Sequence, residues 1–448
     1  AIAGAMAVVA CSTNTLRQAP DDATTSLTPR VILTGAASPI QHVVFIIQEN
    51  RSFNNLFLGY PGATTQNYGY DEKGNRIALH AQTLKTHWDL PHSSLSFFIN
   101  CDSQSGLPGT NCKMDGWNNT HGSIMAPPSA PYAYVPRREI KPYWAMAKQY
   151  VLADEMFASN LDASYVSHQY AVAAYASRSV DGPSSYWGCE GGAGDEVQTL
   201  TDERALSGDY VKTCMKNPTI GIDADGAGLS WRFYAGDIYG DGGLWSSYQS
   251  DDRVYHGPDW KNDVISPPAQ VLTDIEAGKL ANITWITPTY ETSDHAGMWD
   301  NLGPAWVASI VDAVGKSKFW KSTAIFVMWD DWGGWFDPVQ PVYEDYDGLG
   351  FRVPLLVISA YSKQNSVTHV QYETASVLRY IEDNFGLPQL AASDARANDP
   401  ANDPAVFDYS QSPRKFEKIR GAKSTKYWVQ LENATRRRPL PAGVIGDD

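Results

Sequence analysis

Glu49 and Asn50, and likewise Asp330 and Asp331, follow directly on apolar runs, "HVVFIIQ" (42–48) and "AIFVMW" (324–329). Open α/β sheets bind ligands beyond the C-terminal ends of their strands, so polar residues placed there are candidates for chemistry. Three carboxylates and an amide oxygen form a hard-oxygen set suited to a divalent metal ion. The same acids can instead cap nearby loops or pair with Arg51 and lysines, and spacing alone leaves both readings open. Gly333 and Gly334, just after the second acidic pair, free the backbone for a sharp turn. A hydroxyl completes the inventory. Ser164 lies at the start of the helical pattern "SYVSHQYAVAAYA", at the positive end of a helix, where phosphate oxygens also bind. A metal ion beside such a hydroxyl lowers its pKa and stabilises charge on a transferring phosphoryl group. The plainer reading is a helix cap. His168, one helical turn further on, either orients that hydroxyl or packs beneath the helix.

These residues need a scaffold. Short β-branched runs recur at "HVVFIIQ", "NITWITP", "STAIFVMWDD" and "VPLLVISA", the pattern of strands buried on both faces of a parallel sheet. Helical patterns separate them. "GPAWVASIVDAVGKS" puts Trp306, Ile310, Val311 and Val314 on one face, and "YETASVLRYIEDNFGLP" does the same with Val377, Leu378, Ile381 and Phe385 before Gly386 and Pro388 stop it. Such alternation predicts an α/β fold with a mostly parallel central sheet flanked by helices. Residues 62–280 are irregular and rich in Gly, Ser, Asp, Trp and Tyr, and read as insertions forming a helix- and loop-rich cap. The expected organisation is an export signal and tether over 1–38, one catalytic body over 39–430 and a tail over 431–448.

A formal net charge of −15 argues against nucleic acid as a partner, because phosphate backbones are bound through surplus Lys and Arg. "AIAGAMAVVAC" is too short to span a bilayer and fits the end of a signal peptide, which predicts an exported protein. Val-Val-Ala-Cys resembles a lipoprotein cleavage box, which would tether the chain to a membrane through a lipid on Cys11; a plain cleaved cysteine is the other reading. The remaining cysteines form close pairs, Cys101 with Cys112 and Cys189 with Cys214, in Gly-rich stretches. Local disulfides fit an oxidising compartment, and no Cys/His spacing supports zinc instead.

"HVVFIIQENRSFNNLF", "DLPHSS", "KMDGW", "ITPTYETSDHAG", "AIFVMWDDWGGWFD" and "FRVPLLVISAYSKQ", in that order, resemble the successive motifs of the bacterial phosphoesterase family that contains phosphocholine-type phospholipases C and a respiratory-burst-inhibiting acid phosphatase. The resemblance implies an alkaline-phosphatase-like core, with a phosphate-ester small molecule or a phospholipid head group as substrate. It makes Glu49, Asn50, Asp330 and Asp331 metal ligands, Asn50 also a phosphate contact, and Ser164 the nucleophile. His92 and His295 match histidines that bind the phosphate or protonate the leaving group. Two positions depart from the family pattern. Asp162-Ala163 replaces Gly-Pro ahead of the nucleophile, so that Asp162 can compete for metal or phosphate, and Pro338 replaces a His after Asp337. High aromatic content and the lost His leave a second reading, an idle envelope protein that binds glycans. His369, ahead of a helix, is a further candidate to approach the site, whereas His42 lies at the far end of its strand.

Overall fold

The computed structural model describes residues 38–436, apart from 124, 128, 184–186, 193 and 241. Cys11, the expected signal and most of the expected tail lie outside the described residues. Eight strands form the central sheet: β1 (His42–Gln48), β2 (Val151–Ala153), β3 (Trp231–Tyr234), β4 (Val264–Ile265), β5 (Ile283–Ile286), β6 (Thr323–Trp329), β7 (Leu355–Ser359) and β8 (Ser366–Thr368), in the order β4-β3-β5-β1-β6-β7-β2-β8. Pairings from β4 to β6 are all parallel, as is β2 with β8. The sheet is therefore mostly parallel, as expected. One strand departs from the expectation: β7, read as parallel from its apolar run, pairs antiparallel with both β6 and β2. Complete burial makes a strand apolar whichever way it runs, so composition carries no direction.

The side-chain alternation of the strands assigns the layers. Trp285 of β5 donates its Nε1–H to Ala171 O (3.0 Å) on α3 (Ser164–Ala173), and Phe326 of β6 meets Tyr380 (4.8 Å) on α5 (Thr374–Phe385). Trp329 is three residues beyond Phe326 and so points to the other face, where it meets Tyr143 (4.9 Å) of α2 (Lys141–Gln149). That helix packs beside α4 (Gly303–Lys316). The sheet thus lies between two helical layers; β5, β6 and β7 are buried throughout, and β1 from Val43 onward.

Two boundaries differ from the sequence reading. Strands β2, β3 and β4 come from within 62–280, so the sheet is threaded through the stretch expected to be cap and insertions. Helix α6 (Thr425–Thr435) crosses the expected end of the body at 430: its Trp428 packs on Trp306 (5.2 Å), and Glu432 accepts from Ala269 N (2.8 Å). Disulfides join Cys101 to Cys112 and Cys189 to Cys214.

Candidate active site

Register assembles the site. Strand β1 lies between β5 and β6, all parallel, and Gln48 is paired with Trp329. The residues that follow each strand therefore emerge side by side, and Asp330 N donates to Gln48 O (3.0 Å). Asn50 turns the chain out of β1 with a left-handed φ of 55°, a conformation its short polar side chain tolerates. Its backbone N–H donates to Asp330 Oδ1 (2.9 Å). Gly333 takes φ 60°, and a Cβ there would stand 2.1 Å from Asn50 O, so only glycine lets the second acidic loop close on the first. Gly333 N then donates to Asp331 Oδ1 (2.6 Å).

Ser164 is the first residue of α3, and Ala163 occupies the cap position without a side-chain bond. The hydroxyl is thus spared from capping and faces the acids. It accepts from Asn50 Nδ2 (3.1 Å), and its proton can go to Glu49 Oε2 or Asp331 Oδ2, each 3.4 Å away. All of these side chains are buried, where electrostatic interactions act at low dielectric.

His168 also belongs to the cluster, not merely to packing beneath the helix. Its Nε2 lies 3.0 Å from Glu49 Oε1 and 3.8 Å from Asp330 Oδ2. Glu49, His168 and Asp330 each offer one ligand atom within 4.8 Å of the other two. Asp330 Oδ2 and Asn50 Oδ1 are buried oxygens that accept no hydrogen bond, and a cation would satisfy acceptors of that kind. Two of the expected ligands are oriented otherwise. Asn50 turns Nδ2, not Oδ1, toward Ser164 and Asp331, so coordination through Oδ1 requires the amide to rotate. Asp331 gives Oδ1 to Gly333 and Oδ2 to Asn50 Nδ2 (3.2 Å). The alternative partner named for the acids, Arg51, is directed elsewhere: Nε donates to Asp294 O (2.7 Å), Nη2 to Leu84 O (3.3 Å), and the guanidinium stacks on Trp335.

The two histidines come from separate loops and meet, with ring centroids 5.7 Å apart. His92 Nδ1 lies 2.7 Å from Leu90 O, and His295 Nδ1 lies 2.6 Å from Ala296 O. A carbonyl only accepts, so each Nδ1 carries its hydrogen and each Nε2 is the working nitrogen. His92 Nε2 stands 2.9 Å from Asn50 Nδ2, which links it to Ser164 through one amide. Thr86 Oγ1 accepts from Gly297 N (2.7 Å), and Asp89 Oδ2 lies 3.8 Å from His295 Nδ1, so the two loops are held against each other.

Behind the site stands Asp294, which the sequence reading passed over. Its Oδ2 accepts from Tyr143 OH (2.7 Å) and Trp329 Nε1 (3.0 Å). Burial pushes its carboxyl up to about 6, against the opposing pull of those donors and of Arg51. The departures from the family pattern resolve differently. Asp162 lies outside the grouping of Glu49, His168 and Asp330 and accepts from Asp181 N (3.2 Å). Asp337, beside Pro338, is fully buried in an ion pair with Arg352 (3.1 Å) and accepts from Asn54 N and Val339 N. His369 pairs with Asp154 (2.7 Å), and His42 bonds Ala281 O (2.8 Å) at the opposite end of β1. Asp252 and His256 lie beside the Cys189–Cys214 bridge, a grouping that sequence spacing does not reveal.

Residues 40–388 match the model of the Phosphoesterase family. Phospholipase C B of Mycobacterium tuberculosis is 23% identical over 423 residues, covering 79% of this chain and 75% of that protein. Hemolytic phospholipase C of Pseudomonas aeruginosa is 22% identical over 432 residues, covering 84% of this chain and 57% of that protein. Among solved structures, a protein in the alkaline phosphatase superfamily from Vibrio parahaemolyticus covers 81% of this chain and 72% of its own at 11% identity, with a TM-score of 0.36. That overlap is too slight to carry weight.

Proposed function

The chain belongs to the Phosphoesterase family and is a hydrolase acting on phosphoric ester bonds, and from that premise we propose that it is an exported, metal-dependent enzyme using Ser164 as nucleophile. The idle glycan-binding alternative gives way to that membership. The observation that carries the nucleophile is the position of Ser164 Oγ, 3.1 Å from an amide donor and 3.4 Å from two carboxylate oxygens at adjacent strand ends.

Glu49, Asp330 and His168 would hold a divalent cation, with Asp331 beside it. Such an ion supplies Lewis-acid stabilisation of charge on a phosphoryl oxygen and on a serine alkoxide. The chain's own residues do the rest. Ser164 Oγ passes its proton to Asp331 Oδ2 or Glu49 Oε2 and attacks phosphorus in line, as the bond to the leaving oxygen breaks. Asn50 Nδ2 donates to a phosphoryl oxygen as charge develops there. A protonated Nε2 on His92 or His295 delivers a proton to the leaving alkoxide. Water then attacks the phosphoserine and gives a proton to the imidazole, while the P–O bond to Ser164 breaks and the serine oxygen takes its proton back from Asp331 or Glu49 as phosphate is released.

The substrate is a phosphate monoester or a phospholipid head group, the latter favoured by the names of the relatives. Export is supported by the two disulfides, and no helix among the described residues is long and apolar enough to cross a membrane. A lipid on Cys11 remains part of the proposal, checked by labelling wild type and Cys11→Ser with a fatty-acid probe. The decisive experiment is Ser164→Ala assayed side by side on p-nitrophenyl phosphate and phosphatidylcholine. Turnover of both should vanish while bound metal is retained; an active variant would end the nucleophile assignment.

A further inference from the structure

Asp162 and Asp181 lie away from the acids of the site, yet they connect its two halves. Asp162 is two residues before Ser164 and wholly buried, and its carboxylate oxygen accepts from Asp181 N (3.2 Å). Burial, reinforced by the negative charges of Asp181 and Asp347, pushes the Asp162 carboxyl well above the usual carboxylate range. Asp181 itself takes a left-handed φ of 57°. An aspartate tolerates that backbone at some cost, which the surrounding contacts must offset. Its other contacts reach the second half. Asp181 Oδ1 accepts from Ser94 N (2.7 Å) and Oδ2 from Ser94 Oγ (2.9 Å). Ser94 is buried, opens helix α1 (Ser94–Cys101), and stands two residues after His92.

The contacts close a ring. From Ser164 the chain runs back to Asp162, across to Asp181, on to Ser94, along to His92, and through Asn50 to Ser164 again. A ring of this kind fixes the separation of its members more tightly than either loop could alone, because each loop is held at two points. We propose that Asp181 is a positioning residue that clasps the turn carrying Ser164 to the loop carrying His92, and so sets the geometry between nucleophile and proton donor. The inference rests on the roles given to Ser164 and His92 above. It also gives the Asp162-Ala163 departure a purpose. Ala163 keeps φ at −76°, within the range a proline ring imposes, and the side chain of Asp162 ties down a turn that no ring stiffens.

The test uses metal-loaded enzyme with p-nitrophenyl phosphate as probe. Asp181→Ala is expected to lower kcat by about 10- to 100-fold with KM within about twofold, since small misplacements of reacting groups act on the chemical step. Bound metal should be unchanged. Asp181→Asn keeps an oxygen for Ser94 N and the backbone bond to Asp162, and should recover most of the loss. Ser94→Ala keeps the backbone bond and should fall between. A residue that merely capped α1 would lower the melting temperature yet leave kcat per folded, metal-loaded molecule at the wild-type value, and that result overturns the inference. If Asp181→Ala does not fold, a wild-type kcat in Ser94→Ala overturns it instead. Ser164→Ala, run in parallel, separates the two levels: activity surviving there removes the nucleophile and the clasp together. A dead Ser164→Ala beside a fully active Asp181→Ala removes the clasp alone.

Discussion

His168 Nε2 lies 3.0 Å from Glu49 Oε1, with both side chains wholly buried. One belongs to the loop after β1 and the other to the second turn of α3, so the pair ties the nucleophile's helix to the acid cluster. A hydrogen-bonded partner of a ligating carboxylate fixes its orientation and tunes its affinity.

Removal of that partner should be read first in metal binding. His168→Ala is expected to weaken divalent-metal affinity by about 10- to 100-fold, measured by competition with a chromogenic chelator, with the fold retained by circular dichroism. Unchanged affinity would show that His168 neither ligates nor supports a ligand.

Asn50 is the hub between Ser164, His92 and Asp331. Asn50→Ala should cut kcat by about 100-fold or more, the usual cost of losing one preorganised donor to a developing oxyanion. Steady-state kinetics check this, and a drop confined to KM would contradict it.

Gly333 is forced by geometry. Its φ of 60° and the 2.1 Å approach of Asn50 O to a Cβ leave no room for a side chain. Gly333→Ala should lower stability by about 2 kcal/mol or more in urea unfolding, and should reduce activity further than stability alone explains.

Glu432 accepts from Ala269 N, and burial pushes its carboxyl from 4.5 up to about 8. A carboxyl with a raised folded pKa favours the fold while it is protonated. That contribution is complete below about pH 4.5 and is lost as pH climbs through about 8. Glu432→Gln should therefore match wild type near pH 4 and gain over it by on the order of 5 kcal/mol at pH 9. Melting curves at the two pH values test this; parallel losses in both proteins would exclude the effect.

Much of the site was legible because chemistry followed apolar runs. The run 43–47 ends at Glu49 and the run 324–329 at Asp330, and the strands do end where the polarity begins. The helices over 303–316 and 374–385 were equally plain from their one-sided apolar spacing. Strands β2, β4 and β8 were not, since elements of two or three residues have no period to detect. His168 was undervalued for a different reason. Every residue of its helix is buried, so no polar face marks which side looks into the site. Asp294 and Asp181 are single residues in loops, and their roles depend on partners from distant segments: Tyr143 and Trp329 for one, Ser94 and Asp162 for the other.

The pairing of Gln48 with Trp329 reaches beyond architecture. A slip of one residue between those neighbours would send their trailing acids to opposite faces, in a globule that is just as compact and just as rich in secondary structure. Recovered turnover after denaturation therefore counts molecules whose central strands have found their proper alignment, a distinction that circular dichroism or a sizing column would miss.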